Sequence, residues 1–367
     1  MTTVATSPTA RPDRPAARKR KPSGGGIGRY LLIRFLLIIP TIFILVSMVF
    51  WLMRATGDPI TAALGGRLGP EQLAERIHAA GYDRPILVQY LEYLGQIFTG
   101  NFGTTISTNR PVSEVLLTYG VATAELAFYG LLVAFIVGIP LGMVAAYWRD
   151  KGQDALLRVF AILCYATPVF FSGLLFKLVF AVWLDVLPVA GRASTGSELE
   201  MQLLPNSTGL YTVDAIRIAF QTGSTEVLAD VLAHAVLPSL ALGLLTAGVF
   251  LRLVRTNVIG TLGTDYVDAA RSRGVSEFRL VTKHAYRPAL IPIITVIGLQ
   301  IALLLGGAVL TETTFEWKGL GFMLIEFIKA RDYVAVQGIV ALLAVIVALS
   351  NFIVDIIAAI IDPRVRY

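Results

Sequence analysis

The sequence predicts an all-α polytopic membrane protein with six transmembrane helices. The chain of 367 residues is 55% hydrophobic and its mean hydropathy is +0.70, which is more apolar than a usual soluble domain. Six apolar runs reach the roughly 20 residues that a helix needs to cross a bilayer. Basic residues concentrate in segments that flank these runs, as the positive-inside rule describes.

The residues before the first apolar run predict a disordered tail. Residues 1–29 are rich in Thr, Ala, Pro, Arg and Gly, and they include the basic run 18–21. Such a composition buries little apolar surface, so we expect this segment to be solvated. Its charge favours a cytoplasmic anchor over a nucleic-acid-binding arm, because the other basic segments also flank apolar runs. A cleaved signal peptide is not indicated, since the run that follows is long enough to span.

The remaining chain, residues 30–367, is predicted to form one transmembrane domain. The spans are approximately 30–53, 121–147, 157–184, 233–254, 289–310 and 334–361. Segments 149–158 and 255–287 and the C-terminal end are rich in Arg and Lys, which predicts that they lie inside. Segments 54–120, 185–232 and 311–333 carry many acidic residues and are predicted to lie outside. Both termini are therefore expected in the cytoplasm.

The two longer outer segments are predicted to differ in structure. In segment 54–120, Pro70 precedes helical spacing up to residue 77, and a second helix pattern follows Pro85. Residues 100–104 are typical of a turn. Segment 185–232 is expected to be mainly loop, with a short helix around residues 213–220.

The polar stretch 265–292, between the fourth and fifth spans, carries its own helix signals. Asp265 is expected to cap a helix, with Asp268 at the acidic position three residues later, as in a capping box. Gly274 is suited to the left-handed conformation that ends such a helix. A second helix is expected from Ser276, and Pro288 is expected to limit it. The pattern predicts two short helices on the membrane surface, joined at Gly274.

Several of these stretches, in this order, resemble the permease subunits of ABC-type importers, in the dipeptide/oligopeptide (and nickel) branch. Asp268-Ala269-Ala270, Gly274 and Leu290-Ile291-Pro292 resemble the cytoplasmic EAA motif of that family. Further matching stretches are residues 30–34, 57–59, 83–91, 100–103, 138–142, 306–309, 319–321, 331–333, 336–338 and 362–364. The resemblance covers residues 29–367 and implies the type I ABC importer permease fold.

The chain departs from the family pattern at a few positions. Asp268 stands where the family usually has Glu, so the charge is kept on a shorter side chain. Lys318 stands where relatives commonly have Pro, and a looser turn is therefore expected there. The tail before Gly28 and the segment 195–225 are longer than usual.

The resemblance implies a transport subunit without catalytic residues. Such a chain pairs with a second permease subunit in the bacterial cytoplasmic membrane, two ATP-binding subunits hold the ATP and Mg, and an extracytoplasmic solute-binding protein delivers the solute. Segment 255–288 would be the cytoplasmic coupling segment. Its expected ATPase-coupling residues are Asp265, Asp268, Ala269, Ala270, Arg271, Arg273 and Gly274. Di- or oligopeptides are the implied substrates, with nickel, glutathione and haem as alternatives.

Ionisable residues at or near apolar runs are candidates for the pathway or its gate. Glu125 could contact substrate or form an interhelical pair, and Lys177 could bind a carboxylate or extend to an interface. Glu312 could line a gate or meet the binding protein. An ion-driven secondary transporter would favour inverted repeats and a midplane acidic pair, and neither is clear. A membrane-embedded hydrolase would need a catalytic set that the residue spacing does not reveal.

Phosphate and metal sites are not indicated. Residues 24–28 are rich in glycine, but Arg29 and Tyr30 follow them rather than the Lys-Ser/Thr pair that reaches phosphate and magnesium. The three histidines are far apart in the sequence and lack metal-ligand spacing. The single cysteine, Cys164, excludes an intramolecular disulfide.

Overall fold

The structure is a computed structural model that describes residues 27–361, apart from the side chains of residues 27 and 30 and of several positions in 291–307 and 358–361. Most of the predicted disordered tail, and the basic C-terminal end after residue 361, lie outside this range. The first described helix begins at residue 27, three residues before the expected start of the transmembrane domain at residue 30.

The described residues form helices and one isolated antiparallel bridge, between Thr104 and Pro111. The helices are α1 (Ile27–Arg54), α2 (Pro59–Leu64), α3 (Pro70–Ala79), α4 (Ile86–Phe98), α5 (Val112–Tyr147), α6 (Gly152–Ala166), α7 (Val169–Phe176), α8 (Thr195–Gln202), α9 (Tyr211–Thr222), α10 (Glu226–Leu262), α11 (Asp265–Ser272), α12 (Glu277–Arg279), α13 (Tyr286–Phe315), α14 (Leu320–Lys329) and α15 (Tyr333–Ile361). Two π-helical segments, Lys177–Trp183 and Leu280–Ala285, follow α7 and α12 directly.

The six predicted spans all fall on helices. Among the described residues, α1, α5, α10 and α15 are long and apolar enough to cross a membrane. The fifth predicted span, 289–310, lies within the 30-residue helix α13. The third predicted span, 157–184, is wrong as one continuous helix, because α6 and α7 meet at an angle of 103°. The break has a local cause, since Thr167 precedes Pro168 and is extended, with a ψ angle of 126°.

The centre of the molecule is the pair α5 and α10. These helices have 36 and 37 residues, so at 1.5 Å per residue each is roughly 55 Å long and extends beyond the bilayer core. Glycines allow their close approach. A Cβ atom on Gly138 would lie 2.7 Å from the Ala247 carbonyl oxygen, and one on Gly142 would lie 2.7 Å from Val254 Cβ. The Gly138–Gly142 spacing thus has a packing role of the small-xxx-small type.

The two ends of α5 pack against different elements. At its amino end, Val112 shares a hydrophobic cluster with Leu320 and Ala335, at the starts of α14 and α15. At its carboxyl end, Ala146 shares a cluster with Val267 of α11 and Leu280. The predicted coupling segment and the α14–α15 region therefore lie at opposite ends of the molecule.

The segments predicted to lie outside fold at the amino end of α5. The helices expected from residue 70 and after Pro85 are confirmed as α3 and α4, and the expected helix near 213–220 is confirmed as α9. Gly100 and Gly103 have φ angles of 73° and 77°, which confirms the expected turn. Helix α8 was expected to be loop; its amino end is capped by Ser194, whose side chain accepts a hydrogen bond from the Ser197 N–H.

Candidate functional site

Helix α11, within the predicted coupling segment, begins one residue earlier than its acidic residues suggest. Thr264 occupies the cap position of α11, and its hydroxyl donates to the Thr261 carbonyl at 2.6 Å. Asp265 is already the first helical residue. The predicted capping box is therefore wrong, and Asp268 instead accepts a hydrogen bond from Arg271 at 2.5 Å. The shorter side chain of Asp268 is thus used in a local ion pair three residues along the helix.

Helix α11 separates the predicted coupling residues between two faces. Ala270 is only 7% exposed and, with Val267, packs into the core beneath the helix. The other predicted coupling residues are exposed to solvent: Asp265, Asp268, Ala269, Arg271, Arg273 and Gly274. Ala269 is therefore the alanine that a partner surface can approach, while Ala270 holds the helix to its own protein.

The connection after α11 follows the predicted glycine. Gly274 has a φ angle of +81°, in the left-handed region that favours glycine. Arg271 joins the two sides of this turn, since it contacts Asp268 in α11 and also donates from Nε to Glu277 at 2.7 Å. The two surface helices are thus linked by an ion-pair network as well as by the chain.

The second surface helix does not end at Pro288, as was expected. Helical structure continues from Glu277 through α12, the π-helical segment and α13 to Phe315, and we call this stretch the α12–α13 rod. Proline lacks the N–H that would bond the carbonyl four residues earlier, which is that of His284. The hydroxyl of Tyr266 in α11 donates to this carbonyl at 3.3 Å. The donor that Pro288 cannot supply to this carbonyl therefore comes from outside the helix, from α11.

The rod ends at the α13–α14 turn, residues 312–322, which is held by buried polar contacts. Glu312 has no exposed surface, and it accepts hydrogen bonds from the Thr123 hydroxyl at 2.6 Å and the Phe322 N–H at 2.9 Å. The Thr123 oxygen also accepts from the Leu320 N–H at 2.8 Å. The buried Trp317 indole donates to the Ala122 carbonyl at 2.9 Å. The looser turn expected from Lys318 is not observed, because α5 fixes both sides of it.

The other two gate candidates lie around the same turn. Lys177 donates to the Thr314 carbonyl at 2.8 Å, close to the carboxyl end of α13, where a cation is favourable. Glu125 forms a buried pair with Arg192 at 2.6 Å. The Arg192 guanidinium lies 3.6 Å from the Tyr211 ring centroid and 5.4 Å from that of Trp317. The structure thus brings Glu125, Lys177 and Glu312 together at one turn, and each has a protein partner.

Two residues of these sites were not found from the sequence. Arg192 lies in a segment expected to be loop, and only its burial next to Glu125 reveals it as the counter-ion. Tyr266 lies between two of the predicted coupling residues, but its partner is 18 residues further along the chain. Pro288 was the available signal, since a proline within a helix requires another donor for the carbonyl it leaves unbonded.

The described residues form several helices long and apolar enough to span a membrane, with the exposed helix α11 packed against the start of the α12–α13 rod. The family model for binding-protein-dependent transport system inner membrane components matches residues 138–367, and the model for the N-terminal part of such components matches residues 27–119. The chain belongs to this family. It is a membrane-spanning permease subunit of an ABC-type importer of the bacterial inner membrane, as the resemblance implied.

Curated relatives match along nearly the whole chain. The di/tripeptide transport system permease protein of Pseudomonas aeruginosa is 38% identical over 333 residues, covering 90% of this chain and 96% of the relative. The dipeptide transport system permease protein of Escherichia coli K12 is 35% identical, covering 92% and 99%. The glutathione transport system permease protein of Salmonella paratyphi A is 33% identical, also covering 92% and 99%.

Proposed function

We propose that this chain forms one half of the membrane pathway of an importer for di- or oligopeptides. A second homologous permease subunit supplies the other half, two separate subunits hydrolyse ATP, and an extracytoplasmic solute-binding protein delivers the peptide. The peptide transport functions of the two relatives at 38% and 35% identity support the choice of substrate. This chain itself carries no catalytic residue in the proposal, and ATP and Mg are bound by the partners.

The observation that carries the mechanism is the continuous α12–α13 rod. The exposed face of α11 lies at one end, joined to the rod by the Tyr266–His284 hydrogen bond. The 30-residue α13 alone is about 45 Å long at 1.5 Å per residue, and it ends at the α13–α14 turn. A displacement of α11 by an ATPase is thereby transmitted to the turn where Glu312 and Lys177 are held. This arrangement is a two-state element biased by nucleotide on the partner.

The proposal assigns α11 and both termini to the cytoplasm. The segments at the amino end of α5 then face the binding protein. In this orientation the Glu125, Lys177 and Glu312 contacts form a closed outer gate, and the exposed charges of α11 meet the ATPase. The basic residues of segment 255–287 support the assignment.

The test is Ala269→Asp in the complete complex, reconstituted in proteoliposomes with dialanine as solute. Because Ala269 is exposed, we expect insertion and assembly to remain, and ATP-driven uptake to fall at least tenfold. Ala155→Asp, at an exposed alanine of α6 in the predicted inner segment 149–158, is the matched control and should leave uptake unchanged. Normal uptake by Ala269→Asp would contradict the coupling role. Uptake that persists after ATP depletion would indicate an ion-driven transporter instead.

Glutathione is a second candidate substrate. The 33% identity to a glutathione permease over 92% of this chain supports it. Stimulation of ATP hydrolysis by dialanine, oligopeptides and glutathione, each with the cognate binding protein, separates the candidates. Stimulation by glutathione alone would replace the peptide assignment.

A further inference from the structure

A large cavity lies away from the gate candidates, at the amino end of α5. Its volume is about 980 Å³, and its wall is formed by the end of α1, helices α2 to α4, the loop 101–109 and the first turns of α15. Neither Glu125, Lys177 nor Glu312 lines it. The volume is at the upper end of the roughly 300–1,000 Å³ typical of small-molecule sites. The cavity is thus large enough for a ligand of a few residues.

Three residues in this wall have a buried polar atom without a protein partner. Within the described part of the chain, no group bonds Arg54 Nε, Gln89 Oε1 or the Tyr93 hydroxyl. Most buried polar groups in proteins are paired, and an unpaired one is unfavourable for stability. Each of these atoms has almost no accessible surface, so a ligand in the cavity pairs with them only if their side chains change rotamer.

The chemistry of the wall fits a zwitterion that contains amide groups. Amide side chains are frequent in it: Gln72, Gln89, Gln96, Asn101, Asn109 and Gln337. It also carries charges of both signs, from Arg54, Arg76, Glu75 and Glu92, and Glu92 already pairs with Arg84. The Arg54 guanidinium lies 4.4 Å from the Tyr82 ring centroid, which fixes its position at the end of α1. An isolated anion or a wholly apolar molecule would use only part of this wall.

We propose that this cavity is a second binding site for a short peptide, separate from the gate. In this site Arg54 holds the peptide carboxylate, and Glu75 pairs with the peptide ammonium group. The Tyr93 hydroxyl and the Gln89 side-chain carbonyl form hydrogen bonds with the peptide amide groups. The choice of ligand rests on the proposed peptide import. The site would hold peptide at the face that receives it from the binding protein.

The two neighbouring tyrosines of α4 provide a matched test. The Tyr93 hydroxyl has no partner in the described structure, whereas the Tyr90 hydroxyl shares a hydrogen bond with Ser47 at 2.6 Å. Tyr93→Phe should therefore lower peptide affinity about 2- to 10-fold without loss of stability, whereas Tyr90→Phe should lower stability and leave affinity unchanged. Arg54→Gln should lower affinity about 10- to 100-fold.

The probe is a dipeptide of alanine and photo-leucine, applied to the complete complex in nanodiscs without its binding protein. Labelled residues are located by mass spectrometry. We expect saturable labelling of α4 or the loop 101–109, displaced by excess dialanine and reduced in Tyr93→Phe. Labelling that is equal in Tyr93→Phe and the wild type, or that occurs only elsewhere, would overturn the inference. Labelling displaced by phosphatidylethanolamine rather than by dialanine would identify a lipid site and overturn it as well.

ATP-driven uptake of the same probe is measured in parallel. Uptake without labelling of the cavity would overturn the inference and leave peptide import in place. Labelling of the cavity without uptake of any peptide would support the cavity as a peptide site and contradict the proposed import.

Discussion

The Tyr266 hydroxyl donates to the His284 carbonyl oxygen at 3.3 Å, across the turn that joins the surface helix α11 to the α12–α13 rod. This carbonyl lies four residues before Pro288, which has no N–H to offer it. One hydrogen bond therefore does two things. It supplies a donor to a carbonyl that the proline cannot bond, and it attaches α11 to the rod in addition to Gly274 and the Arg271–Glu277 ion pair.

Tyr266→Phe should weaken transmission between α11 and the rod. The loss of one partly exposed hydrogen bond is expected to lower stability by about 1 kcal/mol, so the protein should still insert and assemble. ATP consumed per peptide imported should rise severalfold. Tyr147→Phe, an exposed tyrosine at the carboxyl end of α5, is the control. An unchanged ratio of ATP to peptide in Tyr266→Phe would show that the hydrogen bond has no part in coupling.

Arg192→Met should strongly destabilise the protein. It leaves the buried Glu125 carboxylate without its counter-ion, and breaking a buried pair in this way costs about 3–5 kcal/mol. The thermal unfolding midpoint in detergent should fall by several degrees. Arg84→Met removes an exposed partner of Glu92 and should cost no more than about 1 kcal/mol. Equal midpoints for the two variants would mean that the Glu125–Arg192 pair does not support the fold.

Gly142→Ala should disturb the central pair of helices. The added Cβ would lie 2.7 Å from Val254 Cβ and 2.8 Å from the Leu251 carbonyl oxygen, and this backbone atom cannot rotate away. Overpacking of this kind is expected to cost about 1–3 kcal/mol, measured as a lower unfolding midpoint. Gly152→Ala has nothing within 4 Å of the added carbon and serves as the control. A neutral Gly142→Ala would imply that α5 and α10 pack less closely than described.

Asp214 should make the loop before α9 sensitive to acid. Burial alone would raise its pKa, but hydrogen bonds from the Thr208 N–H, the Ser207 and Thr208 hydroxyls and the Gly209 N–H hold the pKa below its usual value. The pKa of Asp214 is lower in the folded protein than in the unfolded chain, where it is about 3.9. The stabilisation is therefore complete at pH values above the unfolded pKa, and it is lost as the pH falls through the folded pKa.

Hydrogen exchange at the Thr208 and Gly209 amides tests this expectation. At neutral pH the wild type should protect these amides more than Asp214→Asn, and the difference should vanish well below pH ~4. Glu200→Gln, an exposed acidic residue in α8, should behave as the wild type. A difference that is constant down to the lowest pH would contradict the role of the Asp214 charge.

Local sequence patterns were sufficient to predict most of the helices and to indicate the family. The long apolar runs, the proline that begins α3 and the glycine at position 274 act within a few residues, so the sequence displays them directly. Where a local signal was incomplete, the expectation was wrong. Asp265 looked like a cap, but Thr264 has the extended conformation of that position, with a ψ angle of 149°. Pro288 looked like a helix end, but the helix continues through it, and Tyr266 donates to the carbonyl that the proline cannot bond.

The sequence by itself determined that this is an all-α membrane protein, because the hydrophobic effect and charge bias operate on whole segments whatever their neighbours. Its membership of the permease family was indicated separately, by the resemblance of its motifs. Only the tertiary structure decided which ionisable residues have partners. Glu125 and Arg192 are 67 residues apart, and Glu312 and Thr123 are 189 apart. Their pairing depends on how the helices rotate and pack, which no local pattern encodes. The same packing buries Ala270 and exposes Ala269, so the coupling surface that we propose lies on the exposed side of α11.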